Sequence, residues 1–266
     1  MADRYAVIGN PVSHSKSPWI HAQFARATAQ DMEYGALEAP IGAFSRTADE
    51  FRAQGGRGAN VTLPFKQDAF RYASKHTERA LAAEAVNTLR FDRDEILGDN
   101  TDGVGLLRDL TVNAGRAIAG KRVLLLGAGG AAQGVIAPLL AARPARFVVA
   151  NRTADKARSL ARRFPGAEGG GYEALQDSAF DVLINATSAG LDGKAPPLTE
   201  KAFAAGALAY EMVYGRDTPF LALARSRGAE ARDGLGMLVE QAAESFLLWR
   251  GQRPQTAQVL AALRGS

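Results

Sequence analysis

The chain has 266 residues, 47% of them hydrophobic and 23% charged, with 32 Lys and Arg against 28 Asp and Glu. This composition excludes a disordered or fibrous chain and leaves room for two globular domains of ordinary size. The absence of cysteine excludes a disulfide framework, a thiolate nucleophile and a sulfur-bound metal. From the N-terminus, "MADRYAVIGN" passes from two charges into a strand over Tyr5 to Gly9, and no apolar run nears the roughly 20 residues of a membrane span. A cytoplasmic protein with no membrane partner is therefore expected. Further strands are expected over Met32 to Glu38, Gly58 to Thr62, Val123 to Leu126, Phe147 to Ala150, Val182 to Asn185 and Leu208 to Met212. Helical patterns lie between them. Ser17 before Pro18 reads as an N-cap with proline at N1, and Thr218 before Pro219 repeats the pattern. "GAEGGG" at 166 to 171 reads as a flexible loop. The alternation predicts an α/β fold with mainly parallel sheets.

Two turn-rich stretches suggest domain seams. "GDNTDG" at 98 to 103 precedes the helical run "VGLLRDL", and "DGLGM" at 233 to 237 precedes the apolar helix "MLVEQAAESFLLW". The expected division is a first domain of 1–101, completed by 237–266, and a second of 102–236. His14, His21 and His76 form no HExxH or related cluster, so no metal site is expected. The arginines are scattered rather than gathered with aromatics, which argues against a nucleic-acid partner.

In "KRVLLLGAGGAAQGVIAPLL" a buried strand leads through Gly127, Gly129 and Ala132 into a helix. This is the G-x-G-x-x-A dinucleotide pattern, in which backbone N–H groups and a helix N-terminus approach a pyrophosphate. A second strand, "ARFVVANRT", follows and ends at Asn151, 24 residues beyond Gly127, where an NAD enzyme carries a carboxylate for the ribose hydroxyls. Here the residues are Asn151, Arg152 and Thr153, with Lys156 close behind. A carboxylate would repel a 2′-phosphate and a guanidinium would bind it, so NADP is expected. The same stretch also reads as a solvated helix start capped by Thr153.

"GNPVSHSKSP", "GANVTLPFK", "AVNTL" and "GDNTDGVG" sit at predicted strand ends or turns. Together they supply Ser15, Ser17, Asn60, Thr62, Lys66, Asn87 and Asp102: neutral hydrogen-bonding groups, one cation and one carboxylate, a set suited to a polyhydroxylated acid. Ser15 and Ser17 alternate, so an extended segment would turn both hydroxyls to one face.

With "NATSAG" and "GLGMLVEQA", these motifs resemble the bacterial shikimate dehydrogenases in the family's order and over essentially the whole chain. The resemblance implies NADPH-dependent reduction of 3-dehydroshikimate to shikimate, a monomer or homodimer, and an N-terminal α/β substrate domain beside a Rossmann-type NADP-binding domain, with the active site in the cleft between them. It assigns Lys66 and Asp102 as the catalytic pair, Ser15, Ser17 and Tyr214 to the substrate carboxylate, and Thr62, Asn87, Asp102 and Gln241 to carboxylate or ring hydroxyls. For the cofactor it implies Gly127, Ala128, Gly129, Gly130 and Ala131, then Asn151, Arg152, Thr153, Ala154, Asp155 and Lys156, then Met212 and Gly234, with Glu78 a further contact. Lys156 and Gln133 stand where many relatives carry arginine, which shifts 2′-phosphate recognition toward Arg152; Val213 replaces a commoner aromatic. The rival readings are a quinate/shikimate dehydrogenase using NAD and a non-catalytic nucleotide-binding regulator. Retention of both Lys66 and Asp102 argues against the second.

Overall fold

Two sheets, each with its own core, organise the chain. The computed structural model describes residues 2–187 and 194–265. The chain divides into a unit of Met1–Gly105 with Leu238–Ser266 and a contiguous unit of Leu106–Met237.

The first unit opens with β1 (Asp3–Gly9), α1 (Ser17–Ala27), β2 (Met32–Glu38), α2 (Phe44–Ala53), β3 (Gly56–Val61), α3 (Lys66–Tyr72) and the short β4 (Lys75–His76). It continues through α4 (Glu78–Ala83), β5 (Thr88–Phe91), β6 (Ile96–Asp99) and the start of α5 (Asp102–Arg108). The strand order is β2-β1-β3-β5-β6-β4. The pairs β1/β2, β1/β3 and β4/β6 are parallel, whereas β3/β5 and β5/β6 are antiparallel. Ile8, Phe44, Phe65, Val86 and Leu89 fill the core on one side of the sheet. Most of α9 (Leu235–Arg250) and all of α10 (Ala257–Arg264) also belong to this unit.

Two local expectations need correction here. Ser17 is the first residue of α1 rather than its cap: Lys16 takes the cap position, and the Ser17 N–H donates to Ser15 Oγ at 3.2 Å. The pair is therefore not in an extended segment, because the helix that Pro18 favours already includes Ser17. The strand expected over Gly58 to Thr62 runs from Gly56 to Val61.

His21, on the inner face of α1, is fully buried, with neither ring nitrogen hydrogen-bonded. Its ring stacks on Tyr34 at 4.2 Å between centroids, with Phe24, Phe246 and Trp249 around it. Burial pushes its pKa down to about 3, which the nearby Asn60 amide only partly offsets. The unfolded chain takes up this proton near pH 6.5 and the folded chain does not, so stability present above about pH 6.5 drains away as pH falls toward 3. The slope is about 1.4 kcal/mol per pH unit and the total on the order of 4 to 5 kcal/mol. Urea denaturation from pH 7 to pH 4 should show His21→Phe gaining on the wild type at that slope. Parallel profiles would mean that His21 protonates within the fold.

The second unit carries β7 (Arg122–Leu126), α6 (Gly130–Ala141), β8 (Arg146–Ala150), α7 (Ala154–Arg162) and β9 (Ala167–Gly170). Then come β10 (Phe180–Asn185), β11 (Phe203–Glu211), α8 (Pro219–Ser226) and β12 (Glu230–Arg232). Its order, β12-β11-β10-β7-β8-β9, is parallel throughout. This is the doubly wound Rossmann order, with its switch point between β7 and β10. Thr218 caps α8 as expected, accepting from the Leu221 N–H. The "GAEGGG" stretch is not a loop: Ala167–Gly170 forms the edge strand β9. A Cβ at Gly169 would lie 2.4 Å from the Ala157 carbonyl oxygen, so this strand rests directly on the α7 backbone and needs glycine to do so.

Candidate active site

In the first unit, Lys66 begins α3 just beyond the turn that follows β3, and Asp102 begins α5 just beyond β6. The antiparallel pairing of β3, β5 and β6 sets these strand ends side by side. Lys66 Nζ donates to Asp102 Oδ2 at 2.5 Å, and Asn87 Nδ2 donates to Asp102 Oδ1 at 2.8 Å. The lysine side chain keeps 27% of its surface accessible and the aspartate 12%, so the ammonium is lodged against a nearly buried carboxylate yet open on one side. Asn87 is buried on the strand edge, where its amide also donates to Thr101 Oγ1 at 2.9 Å and to Gln241 Oε1 at 3.3 Å. Four of the expected residues, Lys66, Asn87, Asp102 and Gln241, are thus joined by direct hydrogen bonds. Gln241 reaches them from α9 because Gly105 lets the helices touch: a Cβ at Gly105 would stand 2.7 Å from the Gln241 amide nitrogen.

Asn60 is tied into the protein framework. It is buried, and its amide donates toward Ser245 Oγ, Thr88 Oγ1 and the Asn87 carbonyl while its oxygen accepts from the Tyr34 hydroxyl at 2.7 Å. Its hydrogen bonds hold the framework behind Asn87. Ser17 is buried and Ser15 half-buried, and Thr62 lies half-buried at the end of β3 with its methyl group against Gly9. Thr88, Thr101 and Ser245 complete the polar network and were not singled out in the sequence. For Ser245 a signal existed: it lies one helical turn after Gln241, on the same face.

In the second unit, Gly127 follows β7 with φ at 109°, a conformation that favours glycine, and its N–H donates to the Ala150 carbonyl. A Cβ there would crowd Ala186 and Thr187, which follow β10, so the turn sits at the switch point. Beyond it, Gly129 caps α6 and Gly130 begins it, and a Cβ at either would meet nothing within 4 Å. Ala131 is exposed and Ala128 half-exposed. An open, side-chain-free helix N-terminus at a switch point fits a pyrophosphate. After β8, the Asn151 amide donates to the Thr153 carbonyl and fixes the turn, leaving Arg152, Thr153 and Lys156 exposed and Ala154 half-exposed. Asp155 pairs with Arg158 at 2.8 Å, which tempers the one negative charge in this stretch. The donors here suit a 2′-phosphate better than a bare diol.

Met212 and Tyr214 follow β11, where burial raises the Tyr214 pKa. Gly234 packs on Met212, whose carbonyl oxygen a Cβ would approach to 2.2 Å. Behind them Glu211 is fully buried, accepting from Asn185 and Thr218, and burial raises its pKa. Glu78 is exposed at the start of α4, in the first unit. Ser188, Ala189 and Gly190 of "NATSAG" lie outside the described residues. Among the described residues no cluster able to hold a metal ion occurs, and no helix is long and apolar enough to cross a membrane.

Three family patterns match the chain: the shikimate dehydrogenase substrate binding domain over residues 7–89, shikimate / quinate 5-dehydrogenase over 109–195, and the shikimate 5′-dehydrogenase C-terminal domain over 234–264. The NADP(+) shikimate dehydrogenase of Dechloromonas aromatica is 57% identical, over 99% of this chain and 98% of that one. An Ael1 enzyme from Pseudomonas putida has a crystal structure similar at a TM-score of 0.95 and 48% identity, over 98% of both chains. The shikimate 5-dehydrogenase of Thermus thermophilus, solved with NADP(H) and shikimate, gives a TM-score of 0.89 at 34% identity, over 98% of both chains.

Proposed function

As the chain belongs to the shikimate dehydrogenase family, we propose that it works as an NADP-dependent shikimate dehydrogenase in which Lys66 and Asp102 form the acid/base pair. It reduces 3-dehydroshikimate to shikimate, reversibly, on the way to chorismate and the aromatic amino acids. Of the residues assigned to the substrate all but Tyr214 belong to the first unit, and the glycine turn and the Asn151 to Lys156 stretch belong to the second. The Gly127–Ala131 turn would hold the pyrophosphate, and Asn151 to Lys156 the adenosine end, with Arg152 on the 2′-phosphate. When bound, NADPH supplies the hydride that the ketone carbon accepts.

The chain's own residues handle the charge that results. Reduction leaves an alkoxide on the substrate oxygen, and an ammonium at hydrogen-bond distance stabilises that charge and hands over a proton. One hydrogen of the Lys66 ammonium is committed to Asp102 at 2.5 Å, which leaves others to point at the substrate. Asp102 has one oxygen on Lys66 and the other on Asn87, so the carboxylate is held in plane and fixes the lysine. Ser15, Ser17, Thr62, Asn87, Tyr214 and Gln241 are assigned to the carboxylate and ring hydroxyls, a neutral donor set that does not disturb the Lys66–Asp102 charge balance. The observation that carries this reading is the Lys66–Asp102–Asn87 constellation. Cytoplasmic residence, as a monomer or homodimer, goes with it.

The test is a spectrophotometric assay pairing shikimate or quinate with NADP or NAD. Rapid NADP reduction with shikimate, and turnover lower by at least about tenfold in the other three pairings, is the expected result. Quinate oxidised with NAD as fast as shikimate with NADP would instead make the chain a quinate/shikimate dehydrogenase.

A further inference from the structure

Arg79 lies on α4, far in sequence from everything it touches. Its guanidinium forks onto Asp99, Nε to Oδ1 at 2.6 Å and Nη2 to Oδ2 at 2.5 Å, while Nη1 donates to Glu244 Oε1 at 3.0 Å. Asp99 is fully buried and also accepts from Thr77 Oγ1 and from the Asn100 N–H. The chain of charges continues outward. Glu244 Oε2 accepts from Arg253 at 2.5 Å, and Arg253 reaches the fully buried Glu240 at 2.7 Å. Its two negative neighbours raise the Arg79 pKa despite burial, so it stays charged.

The two ends of this clamp lead to opposite sides of the substrate half-site. Asp99 ends β6; its carbonyl accepts the Asn87 N–H at 3.0 Å, and the next residue, Asn100, accepts the Asp102 N–H at 3.1 Å. Glu240 and Glu244 bracket Gln241 on α9. Across the site, Gln241 accepts from Asn87 at 3.3 Å and from Thr101 at 3.4 Å, at the long end of the hydrogen-bond range. Bonds that long between neutral groups are too weak to set the position of Gln241, and the ordinary neutral bonds of Ser245 tie α9 to Asn60 and Thr88 one helical turn further on. The short, charge-assisted bonds of Arg79 are the stronger restraint by roughly a factor of two each.

An arginine near a site for an organic acid invites a simpler role, binding the acid itself. The geometry speaks against it, since Nε, Nη1 and Nη2 of Arg79 all point at carboxylates. Asp99, Glu244 and Glu240 also outnumber Arg79 and Arg253 in this cluster, so the cluster has no positive charge to spare for an anion.

We infer that Arg79 is a positioning residue for substrate recognition, spanning α9 and the Asp99–Asp102 segment and so holding Gln241 at its distance from Asn87 and Asp102. The inference rests on the shikimate dehydrogenase reading above and adds a residue to it. Steady-state kinetics with shikimate and NADP test it on the full chain. Arg79→Met should raise KM for shikimate about tenfold, lower kcat less than about threefold and leave KM for NADP unchanged. Arg79→Lys should restore little of this, because an ammonium cannot bridge two carboxylates as a planar fork does. With Gln241→Ala the effects on KM should fall clearly short of multiplying, since the two changes disturb one contact.

A wild-type enzyme that fails to reduce NADP with shikimate overturns the activity itself. Wild-type turnover together with an unchanged shikimate KM in Arg79→Met overturns only the role of Arg79. Full multiplication with Gln241→Ala, or a parallel loss in kcat and both KM values, also overturns it, since that would mark general loosening. Should Arg79→Met lack a folded circular dichroism spectrum, Glu244→Gln decides. It keeps the Asp99 fork and weakens the Arg79 link to α9, together with the Arg253 bond within the same cluster, and should raise the shikimate KM about threefold to tenfold; no rise refutes the inference.

Discussion

Replacing Lys66 by Met is expected to lower kcat by roughly 10² to 10⁴, with KM for shikimate and NADP changed far less. Methionine keeps most of the stem's volume, so the change removes a charge and a proton rather than packing. Asp102, however, loses the cation at 2.5 Å and keeps only Asn87, so some loss of stability accompanies the kinetic one. Asp102→Asn should also lower kcat, because the amide can no longer hold the ammonium as a carboxylate does. The double variant should be much less impaired than the product of the single effects, since the two groups act on one hydroxyl. A folded Lys66→Met protein with near-normal kcat would remove Lys66 from the chemistry.

The next largest effect is expected at the other half-site. Arg152 is exposed on the turn after β8, close enough to Tyr172 for its charge to be felt there. Arg152→Ala should raise KM for NADP about tenfold to a hundredfold, the loss of about 1.5 to 3 kcal/mol of charge-assisted hydrogen bonding, while NAD kinetics barely move. Lys156 is exposed in the first turn of α7 just beyond it and can hold part of the charge, which sets the lower end of that range. Equal losses with NADP and NAD would mean that Arg152 supports the turn rather than a phosphate.

Local signals were legible where the physics is local. The strand over Met32–Glu38, the cap at Thr218 and the glycine turn at Gly127 need only neighbouring residues to specify them. The signals misled where tertiary packing overrides local preference. Glycines in "GAEGGG" read as a loop, yet Gly169 is there because β9 lies against the α7 backbone. Ser15 and Ser17 share a face only if the chain is extended, and the onset of α1 rules that out. Of the site, the motifs gave Lys66, Asn87, Asp102 and Gln241, all now bonded to one another. They could not give Arg79 or its carboxylates, because no local pattern ties residue 79 to residues 99 and 244. Nor could they show that Asn60 joins Tyr34 to Ser245, contacts made across long stretches of chain.

The order in which the chain is made gives the discontinuity of the first unit a cost. Residues 106–237 form a contiguous body that can fold as soon as it leaves the ribosome. The first unit cannot finish so early, because Ser245, which pairs with Asn60 and Thr88, and Trp249, which donates to the Leu89 carbonyl and stacks on Tyr5, are made only after the whole of that body. Until then Asn60 and Thr88, buried in the finished protein, lack their Ser245 partner, and the apolar strands beside them lack a cover. A released chain truncated after Met237 should therefore protect its Rossmann sheet from protease while its first hundred or so residues stay open to cleavage. The unit that carries the Lys66–Asp102 pair is thus begun before the Rossmann unit and completed after it.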